Sequence, residues 1–209
     1  MATQQTRAMV SETSISNQAL SWIGANRITS MDDPSAEGEW CRDNYPFIRD
    51  AVLEERMWTF ATVRTSSTTA TRDDWDQMYK HTLPLDWLSV FRCFRNVTNI
   101  ECPIKSAGWK REGRFLLARE STVYLWGVKR ETDTGQFSPL FVQALAARLA
   151  AEMAIPLAEN RQLQADLWAL YQAKLADAAA RDGQQGANEK IQSNSMVDAR
   201  AQGGYYRGY

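Results

Sequence analysis

The run TVYLWGVKRETDTGQFSPLFVQALAARLA, residues 122–150, decides how this chain is built. Its first part alternates. Tyr124, Trp126 and Val128 fall on one side and Val123, Leu125 and Gly127 on the other, the period of two expected of a strand. From Gly135 the period changes. Phe141, Leu145 and Leu149 stand four apart, and Val142, Ala146 and Met153 fill the neighbouring stripe. The alanines between them favour helix. A strand therefore hands over to a helix inside thirty residues, and the rest of the chain is read outward from that switch.

Downstream, Pro156 breaks the helical run because it cannot donate the helix hydrogen bond. A second, longer helix follows, with Leu163, Leu167, Leu170, Tyr171 and Leu175 facing inward and Trp168 at its side. From Asp182 the chain turns Gly- and Gln-rich and ends Gly203-Gly204-Tyr205-Tyr206-Arg207-Gly208-Tyr209. Such a tail is too polar to build a core and is expected to order only against a partner.

Upstream, Thr122–Lys129 is the last of several short strands. The others are expected in Trp87–Arg95, Ile104–Lys110 and Arg114–Ala118, with a turn at Glu112-Gly113, while the Ser/Thr-rich Thr62–Thr71 suits an exposed strand or a loop. Before Phe60 the helical period returns. Ile15, Ala19 and Trp22/Ile23 predict a helix stopped by Gly24, and Tyr45, Ile48 and Val52 predict another over about 40–57. The expected class is α+β: a helical bundle formed by the N- and C-terminal segments, with an inserted small antiparallel β-domain. The parts are residues 1–60, N-terminal helices; 61–136, β insertion; 137–181, C-terminal helices; and 182–209, a flexible docking tail.

Charge follows these parts. The chain has 209 residues and a net charge of −1. Residues 1–86 sum to −5, residues 92–130 to +6 and residues 131–209 to −2. A basic middle between acidic flanks supplies complementary surfaces for an oligomer, while near-neutrality argues against general affinity for nucleic acid phosphates. No stretch reaches the ~18 apolar residues of a membrane helix, and the Thr/Gln/Ser-rich N-terminus lacks a secretory pattern. A soluble, unexported chain is expected. Cys41, Cys93 and Cys102 are odd in number and match no disulfide scaffold, so reduced structural thiols are expected. With His81 the only histidine and no Cys-x-x-Cys, no metal site is expected.

Catalytic signatures are sparse. His81 lies in no nucleophile elbow and is expected at a surface or strand edge, and no phosphate-cradling glycine loop is present. Glu54-Glu55, Asp73-Asp74 and Asp32-Asp33 are the paired acids a glycan hydrolase would need, but sequence neighbours point apart, and solvated faces and turns account for them. Trp109, Phe115 and Trp126 in the basic region offer stacking platforms for single-stranded nucleic acid, against the alternative that they face inward beside a protein interface.

The order of features resembles a known family. Asn17-Gln18-Ala19-Leu20, Ile23-Gly24, Arg27-Ile28 and Ser30, then Tyr45, Ile48-Arg49-Asp50, Val52-Leu53 and Trp58-x-Phe60-Ala61, look like tail tubular protein A of short-tailed bacteriophages. So do Phe137-Ser138-Pro139-Leu140-Phe141-Val142, Ala144–Ala150, Ile155-Pro156-Leu157 and Leu167-Trp168-x-x-Tyr171-x-x-Lys174-Leu175, so the likeness spans about residues 14–181. The resemblance implies a non-enzymatic head-to-tail adaptor of the virion tail, needing no cofactor. It implies a homo-oligomeric ring of twelve subunits between portal protein and tail nozzle protein (tail tubular protein B), with tail fibres attached nearby. Genomic DNA would pass through the bore without sequence-specific binding.

A ring built from heterologous contacts needs two different faces on each subunit. Lys110, Arg111 and Arg114 are the expected subunit-interface residues. Tyr205, Tyr206, Arg207 and Tyr209 are the expected anchors of the tail on the portal or a neighbouring subunit, since Tyr and Arg dominate interface hot spots.

Overall fold

Helix starts follow local capping chemistry. In the computed structural model, which describes residues 10–68, 70–72, 77–95, 104 and 108–185, Ser11 and Ser14 exchange side-chain and backbone hydrogen bonds to open α1 (Glu12–Ile23). Gly24 closes it in the left-handed conformation at φ 74°, which glycine adopts without steric cost. Ser35 caps α2 (Ala36–Glu54), which starts four residues earlier than the apolar spacing alone indicates. The preceding turn is held by Asp33, whose carboxylate accepts the Thr29 N–H, the Thr29 hydroxyl and the Ser35 N–H. Those bonds hold its carboxyl well below the usual carboxylate range. Ser138 caps α3 (Pro139–Met153). The chain then turns through Pro156 into α4 (Arg161–Gln185).

Between α2 and α3 lie β1 (Thr62–Ser67), β2 (Ala70–Arg72), β3 (Tyr79–Thr82), β4 (Trp87–Phe94), β5 (Trp109–Glu112), β6 (Phe115–Ala118) and β7 (Val123–Lys129). They form two antiparallel sheets, ordered β1-β7-β4 and β2-β3-β6-β5. The fold is therefore α+β. The β5–β6 hairpin turns at Gly113-Arg114, one residue beyond the expected Glu112-Gly113, with Glu112 opposite Phe115 and Gly113 at φ 58°.

Apolar side chains gather in two clusters. Leu83, Trp87, Cys93, Leu116, Ala118, Val123 and Leu125 fill the space between the two sheets. Gly127 fits closely there: a Cβ would collide with the Trp87 ring and the Ser89 carbonyl unless one of them moved. The larger cluster joins α1, α2, α3 and α4 and takes in Ala61 and Val128 at the ends of β-sheet segments. At its centre, Phe141 meets Trp58 and Phe60 with ring centroids 5.0 Å apart and Phe137 at 4.9 Å. Residues from both ends of the chain thus share one core.

Two positions correct the sequence reading. His81 is wholly buried, because β3 is an interior strand paired with β2 and β6. Its Nε2 donates to the Glu120 carbonyl (2.9 Å) and its Nδ1 meets the Ser67 hydroxyl (3.1 Å), so it links the two sheets. Helix α4 also continues past Asp182, where a polar tail was expected, to Gln185. Asp182 is buried, and its carboxylate accepts the Thr59 N–H (2.9 Å) and the Thr59 hydroxyl (2.6 Å).

Candidate interaction surface

The residues singled out in the basic region lie together on an exposed hairpin. Lys110 and Arg111 sit on β5, and Arg114 is in the turn that follows. Their surroundings differ. Lys110 pairs with Glu112 on its own strand, Nζ to Oε1 2.7 Å. Arg111 reaches across to β4, donating to the Leu88 carbonyl through Nη1 (2.5 Å) and to the Gly113 carbonyl through Nε (3.2 Å). It therefore staples one sheet to the other as well as carrying charge. Arg114 is exposed, and its carbonyl accepts the Leu83 N–H (2.9 Å).

That last bond sets the turn beside Leu85, whose side chain is 75% exposed in the β3–β4 connection. The next residue, Asp86, accepts the Arg130 backbone N–H (2.6 Å), and the Arg130 guanidinium bonds Asp50 on α2 (2.6 Å). One helical turn before Asp50 stands Phe47, 76% exposed. Residues three and four apart share a helix face, so Asp43, Phe47 and Asp50 line one side of α2. Phe47 and Leu85 are the two most exposed large apolar side chains among the described residues.

Asp50 also takes the buried Arg49 guanidinium (2.8 Å), which lies 3.7 Å from Glu12 on α1. This chain of alternating charges, Glu12–Arg49–Asp50–Arg130, ties α1 and α2 to the end of β7. A buried charge keeps its place only when such partners surround it.

Phe47 and Leu85 were not singled out from the sequence. A signal existed. Phe47 lies off the inward stripe of Tyr45, Ile48 and Val52, and an apolar residue on the outer face of an amphipathic helix marks a possible contact.

The aromatic side chains considered for nucleic acid stacking are already in use. Arg64 covers the Trp126 ring at 4.0 Å with Arg92 at 5.8 Å, Lys80 covers Phe115 at 4.2 Å, and Trp109 packs against the core between the sheets. The other chemical candidates are likewise dispersed. Cys41 and Cys93 are buried free thiols, the latter pushed up to about 12 by burial and by Glu120. Glu55 faces Arg148 (3.6 Å), Glu54 points to solvent, and Asp33 is turned into its own loop. Among the described residues, no group of three or more His, Cys, Asp or Glu side chains converges on a point, and no helix is long and apolar enough to cross a membrane. Cys102, Asp73, Asp74, Tyr205, Tyr206, Arg207 and Tyr209 lie outside the described residues.

A cleft of about 330 Å³ opens between the end of α4, the α2–β1 connection and β4, lined by Glu55, Arg56, Met57, Trp58, Phe91, Ala179, Asp182 and Gly183. It lies beside the Asp182–Thr59 bonds and apart from the basic hairpin. Set against models of known protein families and against curated protein sequences, the chain matches none.

Proposed function

We propose that this chain is a structural virion protein, a head-to-tail adaptor of the tail tubular protein A kind. It would assemble as a ring between portal and tail nozzle, with fibres nearby and the genome passing through its bore. The observation that carries the reading is the ordered series of motifs over residues 14–181. Those motifs supply core residues from both ends of the chain, among them Ile23, Tyr45, Trp58, Phe141 and Tyr171.

Two further features support an assembly role. Phe47 and Leu85 are large apolar side chains left mostly in solvent, the kind of residue a protein contact buries. The cations laid over Trp126 and Phe115 leave these rings poorly available to bases, which suits a conduit through which DNA must slide. A basic hairpin on a subunit with acidic helices suits heterologous packing.

The test is particle mass for the purified protein, alone and mixed with portal protein from the same genome. The adaptor reading expects an increment of about twelve subunits on the portal. Well-folded protein that adds no mass to the portal overturns it. Turbidity loss on purified cell wall would then favour a hydrolase, and affinity for DNA that falls steeply with salt would favour a DNA-binding module.

A further inference from the structure

Helix α4 carries a glycine that the folded chain itself does not call for. Gly183 lies inside the helix, where glycine is less stable than alanine or leucine. It is not one of the left-handed glycines, which are Gly24 and Gly113. A Cβ at 183 would meet no atom of the described residues within 4 Å. Neither backbone conformation nor packing within the chain therefore requires it. Gly183 lines the cleft of about 330 Å³, and so does Ala179, one turn earlier on the same face. Two such small residues leave room for another group to approach the helix backbone closely.

The rest of the lining indicates which group. Met57, Trp58 and Phe91 are apolar, and Phe91 is 38% exposed. Glu55 and Asp182 are engaged by Arg148 and Thr59. The Arg56 side chain, by contrast, is exposed and has no ion pair or hydrogen bond among the described residues. A free cation beside apolar surface suits an aromatic ring with a polar tip. The ring packs on the apolar lining, its face takes the cation and its hydroxyl reaches water.

The chain carries such rings beyond α4, at Tyr205, Tyr206 and Tyr209. We propose that the cleft receives Tyr205 and Tyr206 of an adjacent copy, so that each subunit gives one tail and takes one. The inference rests on the adaptor reading, since a ring needs two different, complementary surfaces on every subunit, and a tail and a cleft are such a pair. Chain length allows it. Twenty residues separate Gln185 from Tyr205, at most roughly 70 Å of chain, against a radius of gyration of about 17 Å for a compact protein of this size. Copies already held side by side need only modest affinity at each such contact.

Two measurements test it. In the first, a fluorescent peptide of residues 198–209 is titrated into the full chain carrying Tyr205→Ser, Tyr206→Ser and Tyr209→Ser, so that the chain's own tail does not compete. Saturable binding with a Kd below about 1 mM is expected. Gly183→Leu, which fills the cleft, should weaken it about tenfold or more, and Arg56→Ala should weaken it less. Gly183→Leu should melt no lower than wild type, since leucine is the better helix former and its Cβ meets open space. No binding, or binding indifferent to both variants, overturns the proposal.

In the second, full chain with the photo-cross-linking substitution Tyr206→p-benzoylphenylalanine is mixed with an equal amount of heavy-isotope-labelled wild type. The mixture is irradiated free at about 100 µM and again on portal protein. Links from unlabelled to labelled copies at residues 56–58, 91 or 179–183 are expected. Links confined to one chain, links to portal alone, or no links in either setting overturn the proposal. Mass added to the portal without copy-to-copy links fails this inference and keeps the adaptor reading. Such links between free copies, with no mass added to the portal, do the opposite.

Discussion

Removing the Asp182 carboxylate tests whether the last helix belongs to the folded body. Asp182 is 6% exposed and accepts two hydrogen bonds from Thr59, 123 residues earlier in the chain. Hydrogen bonds to a charged group contribute about 1.5–3 kcal/mol each, but two that share one carboxylate are not additive. The adjoining cleft lets water reach the orphaned Thr59 N–H in Asp182→Ala, which moves the cost toward the lower end. A loss of about 2–3 kcal/mol follows, or roughly 4–12 °C in melting temperature for a chain of this size. Asp182→Asn, which keeps an oxygen acceptor and loses the charge, should fall between the two.

The assay is thermal and urea unfolding followed by far-ultraviolet circular dichroism, run as a double-mutant cycle with Thr59→Ala. The expected coupling is about 1 kcal/mol, because Thr59→Ala removes only the hydroxyl bond. An Asp182→Ala protein melting within about 1 °C of wild type, with no coupling to Thr59, would refute the reasoning. The result also bears on the tail. A cut after Arg181 removes this bond along with the tyrosines, whereas a cut after Gln185 removes the tyrosines alone. Only the second truncation separates docking from folding: it should leave the melting temperature unchanged while weakening assembly.

Gly127→Ala should cost about 1–3 kcal/mol, measured by urea denaturation, because the added methyl forces Trp87 or the Ser89 strand aside. Stability should fall above about pH 9. Burial raises the thiols of Cys41 and Cys93 and the phenols of Tyr45 and Tyr171 above their ordinary values, so the unfolded chain releases those protons first. Each group adds a slope of up to about 1.4 kcal/mol per pH unit, and melts from pH 7 to 11 that show no decline would contradict their burial. Cys41 and Cys93 should resist a thiol reagent at pH 8 in folded protein and react in urea; fast labelling of either without denaturant would place it at the surface. Arg111→Ala should lower the melting temperature more than Arg114→Ala, since only the Arg111 side chain bridges to β4.

Local pattern carried most of the element boundaries. Gly24, Ser138 and Pro156 act within a few residues of themselves, through backbone conformation and capping, so their consequences were readable in the linear chain. The α+β class was readable for the same reason, since periods of two and of three to four residues are properties of neighbours. Where α2 begins was less so, because Ser35 and the Asp33 turn, rather than apolar spacing, decide it.

What tertiary structure alone decided lies between residues far apart in sequence. His81 is buried because two other strands flank β3, which no local feature of residues 79–82 announces. Asp182 looked like the start of a polar tail until Thr59 came within hydrogen-bond reach. The basic residues of the β5–β6 hairpin were visible as charge, but not that Arg111 is spent on Leu88 while Arg114 stays outward. Helix α2 and the β3–β4 connection are linked through Arg130, which touches the first with its side chain and the second with its backbone. Sequence determined which residues seek burial and which local shape each segment takes; packing alone chose which polar groups meet, and which apolar side chains were left facing water.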